Sequence, residues 1–215
     1  MKQVQNLEKL KTAPWFTLET LGSLYQGKRA SLESNVKRWL KRGYLVKLKK
    51  GTYTTQTYLD SLGTDSKGSY KEFIANTLVP ESYLSLEYVL QKYALLSESV
   101  NAYTSVTLKS TKIINNNLGK YLYSSVSPKI FTGYEIVDRG GFTVAEATKT
   151  KALFDYLYLR IIRSKTVTLD LVMSFRLNLN EFSKEDFEEF AGYCKLVKQY
   201  KFSLLPKLLK ETVKL

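Results

Sequence analysis

Up to residue 40, apolar side chains recur every third or fourth position; from residue 45 they alternate with polar ones. The chain therefore opens with helices and passes into strands. Val4, Leu7 and Leu10 share one face of a short helix over residues 3–10. Pro14 stops it, because the residue before a proline is driven out of the helical region. Thr17 is a good N-cap for a second helix, with Glu19 in its first turn and Leu18, Leu21 and Leu24 facing inward. Gly27 then provides a turn. The spacing predicts a third helix over residues 31–42, with Leu32, Val36, Trp39 and Leu40 on one side and Ser34, Lys37, Arg38 and Lys41 on the other. Gly43 follows where a left-handed C-terminal stop is expected. Residues 45–49, the pair Lys50-Gly51 and residues 52–55 read as a β-hairpin.

Downstream, residues 56–62 carry no clear pattern, and residues 63–69 are turn formers without a large apolar side chain. These mark a boundary, giving residues 1–58 as one domain, 59–70 as a linker and 71–215 as a second domain. A helix over 70–78 ends at Pro80. Ser85 caps another to about residue 95, with Leu86, Val89, Leu90 and Tyr93 inward. Strands are expected at 102–109, 112–114, 120–126, 131–138 and 142–147, punctuated by Asn115-Asn116-Asn117 and Arg139-Gly140-Gly141. Helices resume at 151–163, 184–200 and 205–213. The fold class is α+β: an N-terminal winged helix–turn–helix domain followed by a mixed α/β C-terminal domain.

Charge sharpens the reading of the first domain. Residues 1–55 hold 12 Lys or Arg against 3 Asp or Glu, a net +9 of the chain's +13. Three helices and a basic hairpin are the order of a winged helix–turn–helix, whose third helix enters the major groove while the wing meets the neighbouring backbone. Lys28 and Arg29, just before the helix, would meet phosphates or reach a base edge. Ser34, Lys37, Arg38 and Lys41 are the recognition candidates, with Arg38 suited to a bidentate guanine contact. Lys47, Lys49 and Lys50 would hold the wing on phosphates, which fixes register without carrying sequence information.

Composition removes several other functions. There is no histidine, so no imidazole base and no Ser–His or Cys–His pair is present. One cysteine, Cys194, supplies neither a disulfide nor a zinc site. No cofactor or metal is expected, and the chain reads as no enzyme. Residues 1–12 mix Lys and Glu with Leu, no apolar run reaches membrane-spanning length, and a cytoplasmic protein with no membrane role is expected. The nearest approach to a catalytic set is Asp138, Glu146 and Lys149, but Glu-x-x-Lys puts two side chains on opposite strand faces where a magnesium nuclease needs them together. Tyr121 and Tyr123 read as packing before base stacking. The stripe Phe187, Phe190, Ala191, Cys194 and Val197 reads as core or interface.

Several segments resemble the antitoxins of AbiE-type abortive-infection systems (AbiEi-like). They are Val79-Pro80-Glu81-Ser82-Tyr83-Leu84-Ser85-Leu86-Glu87, Thr104-Ser105-Val106-Thr107, Phe131-Thr132-Gly133-Tyr134-Glu135, the run from Ala147 to Asp155, and the hairpin from Leu45 to Tyr53. The likeness keeps the order of motifs over nearly the whole chain; it departs at Lys149, where relatives often carry proline. The resemblance implies an antitoxin of a type IV toxin–antitoxin system. Such a protein represses its own operon by binding inverted repeats in the promoter DNA and counteracts a nucleotidyltransferase-type toxin. It also singles out Lys109, Lys151 and Asp155 in the second domain, the last two one helical turn apart as expected of a surface ion pair. The alternative is a winged-helix regulator with a ligand-sensing or dimerisation domain and no toxin partner.

Overall fold

The structure is a computed structural model that describes residues 5–213, with side chains from Leu7 onward. Val4 and the start of the helix expected over 3–10 lie outside those residues. The fold is mixed α+β, and the chain divides into two units. Residues 1–71 and 114–119 make the first, and residues 72–113 with 120–215 the second.

The first unit contains α1 (Gln5–Glu8), β1 (Phe16–Thr17), α2 (Leu18–Leu24), α3 (Arg29–Lys41), β2 (Leu45–Lys49), β3 (Thr52–Thr55) and α4 (Gln56–Ser61). Its core is the apolar stripe of each helix gathered around Trp39: Leu7, Leu10, Phe16, Leu21, Leu32, Val36, Leu45 and Tyr53 are all buried, and Leu18, Leu24 and Leu40 are half-buried against them. Thr17 caps α2 as its sequence requires, its hydroxyl accepting from the Thr20 amide at 3.2 Å. Gly43 (φ 73°) and Gly51 (φ 79°) take the left-handed conformations that end α3 and turn the hairpin. β2 and β3 pair antiparallel with a bulge between Lys47 and Lys49. β1 adds a third strand through Phe16 opposite Tyr53. Two residues are too few to leave a pattern, which is why β1 has no signal of its own in the sequence.

The segment read as a turn-rich linker is helical. It forms the first half of α5 (Thr64–Leu78), and residues 56–62, without a clear pattern, supply α4. Gly68 and the exposed positions around it cost helix stability locally. Tertiary anchoring overrides that cost. Tyr70 is buried, packs against Tyr58 with ring centroids 5.4 Å apart, and donates its hydroxyl to the Pro14 carbonyl at 2.6 Å.

After α5 the chain continues with β4 (Ser82–Leu84), α6 (Leu86–Lys92), β5 (Tyr103–Thr107), β6 (Lys112–Asn116), β7 (Gly119–Ser125), a 3₁₀ turn (Pro128–Ile130), β8 (Tyr134–Asp138) and β9 (Thr143–Ala147), of which residues 114–119 cluster with the first unit and the rest with the second. Helices α7 (Lys149–Ile161), α8 (Leu169–Ser174), α9 (Lys184–Leu196) and α10 (Tyr200–Thr212) complete it. The sheet order is β6-β7-β5-β4-β9-β8. β4, which has no strand signal in the sequence, is an inner strand: antiparallel to β5 and parallel to β9. The expected helix over 184–200 ends at Leu196, because Val197 and Gln199 turn extended before α10 begins. Pro206 sits inside α10, whose course through it is held by buried Phe202, Leu205 and Leu209. Tyr93, expected inward, is exposed, since α6 closes at Lys92.

Candidate functional site

Helix α3 separates its two sides as its periodicity dictates. Leu32, Val36 and Trp39 are buried, while Ser34, Lys37, Arg38 and Lys41 are exposed. Lys28, at the N-cap, makes no side-chain cap hydrogen bond, and Arg29, Ala30 and Ser31 after it are exposed. The positive end of a 13-residue helix is thereby left open beside two cationic side chains. Arg29 pairs with Glu33 at 3.4 Å in a solvent-screened contact. The Ser34 hydroxyl donates to the Ala30 carbonyl at 3.0 Å, which leaves its oxygen as an acceptor. On the hairpin, Lys47 and Lys50 are exposed and Lys49 is half-buried. Among the described residues, Lys28, Lys37, Lys41, Lys47 and Lys50 form no ion pair.

Two polar side chains that the sequence pattern does not mark organise this surface. Asn35 is buried on α3; its amide nitrogen donates to the Tyr25 hydroxyl at 2.8 Å and its amide oxygen accepts from the Arg38 guanidinium. It ties the turn before α3 to the arginine expected to read a base. Asn116, in the segment 114–119 that clusters with the first unit, donates to the Leu48 carbonyl at 2.9 Å. Its oxygen accepts from the Leu118 amide at 2.8 Å. The sequence shows Asn115-Asn116-Asn117 only as a turn; no local signal marks a contact 68 residues away.

In the second unit, Lys151 and Asp155 do pair, but not on the surface: both side chains are 0 % exposed. Asp155 also accepts from the Tyr83 hydroxyl at 3.0 Å and the Ser85 hydroxyl at 2.8 Å. Ser85 stands at the N-cap of α6 yet makes no side-chain cap bond there, because its hydroxyl serves Asp155. The Lys151 ammonium lies 5.0–5.6 Å from the ring centres of Phe154, Tyr83 and Tyr193. Burial pushes the Asp155 carboxyl up and the Lys151 ammonium down from their ordinary values, against the attraction of the pair. Burial, with Asp155 beside it, also pushes the Tyr83 hydroxyl up. The cluster joins β4, the start of α6 and α7 without exposed surface. Lys109 is not part of it and forms an exposed pair with Glu81.

Asp138, Glu146 and Lys149 do not form a set. Glu146 is buried and accepts from Lys92 at 2.5 Å and Arg139 at 3.0 Å. Lys149 pairs with Asp186 at 2.5 Å, and Asp138 accepts from the Gly141 amide. Tyr121 and Tyr123 are buried; the Tyr123 hydroxyl donates to the Ala75 carbonyl at 2.7 Å. Phe187, Phe190 and Cys194 are core residues, and burial pushes the Cys194 thiol up to about 12. Among the described residues, no group of three or more Asp, Glu or Cys side chains is placed to hold a metal ion, and no helix is long and apolar enough to cross a membrane. No protein-family model matches this chain, and neither does any curated protein.

Proposed function

We propose that the chain is a transcriptional repressor whose first unit is a winged helix–turn–helix bound to double-stranded DNA. One observation carries this reading. The polar side of α3 and the tip of the β2–β3 hairpin expose seven cationic candidates, while every large apolar side chain on the opposite side of α3 is spent on the core. α3 lies in the major groove, with Lys37, Arg38 and Lys41 toward base edges. Lys28 and Arg29 with the open helix end, and Lys47, Lys49 and Lys50 on the wing, take phosphates. Lysine- and arginine-rich surfaces are what duplex backbones select electrostatically, and Glu33, paired with Arg29, is the acidic residue within α3.

The protein acts as a cytoplasmic antitoxin of the type IV kind. It binds inverted repeats in its own promoter and counteracts a nucleotidyltransferase-type toxin without performing catalysis itself. The succession of motifs from Leu45 to Asp155 supports this part of the reading.

Fluorescence anisotropy with the duplex upstream of its own gene tests the DNA reading. Six phosphate contacts give a slope of about −5 in log affinity against log salt. A flat salt response ends the DNA reading, and equal affinity for a scrambled duplex ends the operator reading. Expression of the adjacent gene alone and together with this chain tests the antitoxin reading, which falls if that gene alone does not arrest growth.

A further inference from the structure

α9 and α10 form a helical hairpin whose inner sides are spent on the core, yet an open trough of about 750 Å³ runs along their outer junction. Its floor is apolar: Ala191, Cys194 and Val197 from the end of α9, with Pro206 from α10. Tyr200 stands 79 % exposed at one end. Lys195, Lys198, Lys207 and Lys210 rim it, all exposed, and among the described residues the one acidic side chain lining it is Glu211. Glu211 lies 3.9 Å from Lys207, a contact that solvent screens.

We propose that this trough docks an acidic amphipathic helix of a partner protein. Three features fix that occupant. The positions of α10 that line the trough run from Tyr200 to Glu211, so the groove is about 17 Å long at 1.5 Å per residue. That is the span of three helical turns. It is only partly enclosed, whereas a small ligand is enclosed on most of its surface. An apolar floor between lysine rims receives a stripe of apolar side chains flanked by carboxylates, the helix-in-groove mode with electrostatic selection added. The proposal does not depend on DNA binding, since the basic α3 surface and this trough lie in different units.

The probe is a fluorescein-labelled 16-residue peptide with Leu at i, i+3, i+4 and i+7 and Glu on both flanks, titrated by anisotropy against the full chain. Two variants separate the trough from other surfaces: Lys198→Glu/Lys207→Glu reverses the rim, and Ser203→Trp fills the groove from an exposed position. Circular dichroism establishes that both fold. Saturable binding that weakens about tenfold in each variant and falls with added salt is the expected result. Absence of binding, equal binding of the same residues in scrambled order, or unchanged affinity in both variants overturns the proposal. Phosphatidylglycerol vesicles bound more tightly than the peptide, or self-association abolished by Ser203→Trp, overturn it in favour of a lipid surface or a second copy.

Discussion

Replacing Lys151 by Met leaves the Asp155 carboxylate in a place water does not reach. Removing one partner of a buried ion pair costs about 3–5 kcal/mol, because the remaining charge is uncompensated. The structure predicts an asymmetry on top of that figure. Asp155 keeps the Tyr83 and Ser85 hydroxyls when Lys151 is lost. When Asp155 is replaced by Leu, Lys151 and both buried hydroxyls lose a partner at once. Each orphaned hydroxyl adds about 1–3 kcal/mol, so Asp155→Leu costs on the order of 5 kcal/mol or more, a large share of a domain's stability. The double variant Lys151→Met/Asp155→Asn removes both charges and keeps an acceptor for the two hydroxyls. It is therefore expected to be more stable than either Lys151→Met or Asp155→Leu.

Urea unfolding followed by circular dichroism ranks the variants, with hydrogen exchange over residues 149–161 locating the loss. The pH dependence gives an independent sign. In Lys151→Met the native carboxyl, raised by burial and no longer held down by an ammonium, binds a proton more tightly than in the unfolded chain. Its deficit relative to the parent therefore shrinks as pH falls from 7 toward about 4. Single variants within about 1 kcal/mol of the parent, or a deficit that grows in acid, would refute the reasoning and mean that the pair is hydrated.

On the face proposed to bind DNA, Arg38→Ala is expected to cost about 1–3 kcal/mol and relax preference at one base pair, whereas Lys49→Ala weakens all duplexes alike and lowers the salt slope by about one; anisotropy against an operator mutant panel distinguishes them. Asn116→Ala removes the bond to the Leu48 carbonyl, so binding is expected to weaken for every sequence while hydrogen exchange accelerates over residues 47–51. Unchanged exchange there would mean that the hairpin holds itself. Asp186→Ala breaks the capping box of α9 and the ion pair with Lys149, at a cost of about 1–2 kcal/mol. Burial raises the Asp186 carboxyl, but Lys149, the Ser183 amide and the Thr150 hydroxyl outweigh it and hold it below its ordinary value. Its contribution is thus present above the unfolded value near 4 and lost as pH falls through the lower native value; the gap in melting temperature between variant and parent at pH 7 should narrow steadily as the pH is lowered into the acid range.

Legibility in the sequence follows how far away the deciding contact lies. α3 and the β2–β3 hairpin are readable because one side of each is buried and the other solvated, so the pattern within a dozen residues carries the answer. β4 is not readable for the opposite reason. Its three residues, Ser82, Tyr83 and Leu84, are buried on both faces and never alternate. The 63–69 stretch misleads because its residues are mostly exposed turn formers, whose helical state from Thr64 onward is imposed by Tyr70 and the apolar positions after it. α8 and β1 are too short to establish a period.

The same distance rule divides the candidate functional residues. Lys37, Arg38 and Lys41 need only the periodicity of their own helix to be placed outside, and the structure places them there. Lys151 and Asp155 also need only one helix to be recognised as a pair, but their burial is decided by Tyr83 and Ser85, more than 60 residues earlier, and by Tyr193 on α9. Opposite charges one turn apart are ordinarily surface features, so local sequence assigns this pair to the wrong environment. The correction changes its chemistry. A charge pair with no exposed surface meets neither substrate nor toxin directly, so any effect it has on a partner must pass through how α7 packs on β4 and α9. Stability, measured as above, is the quantity in which its role becomes visible.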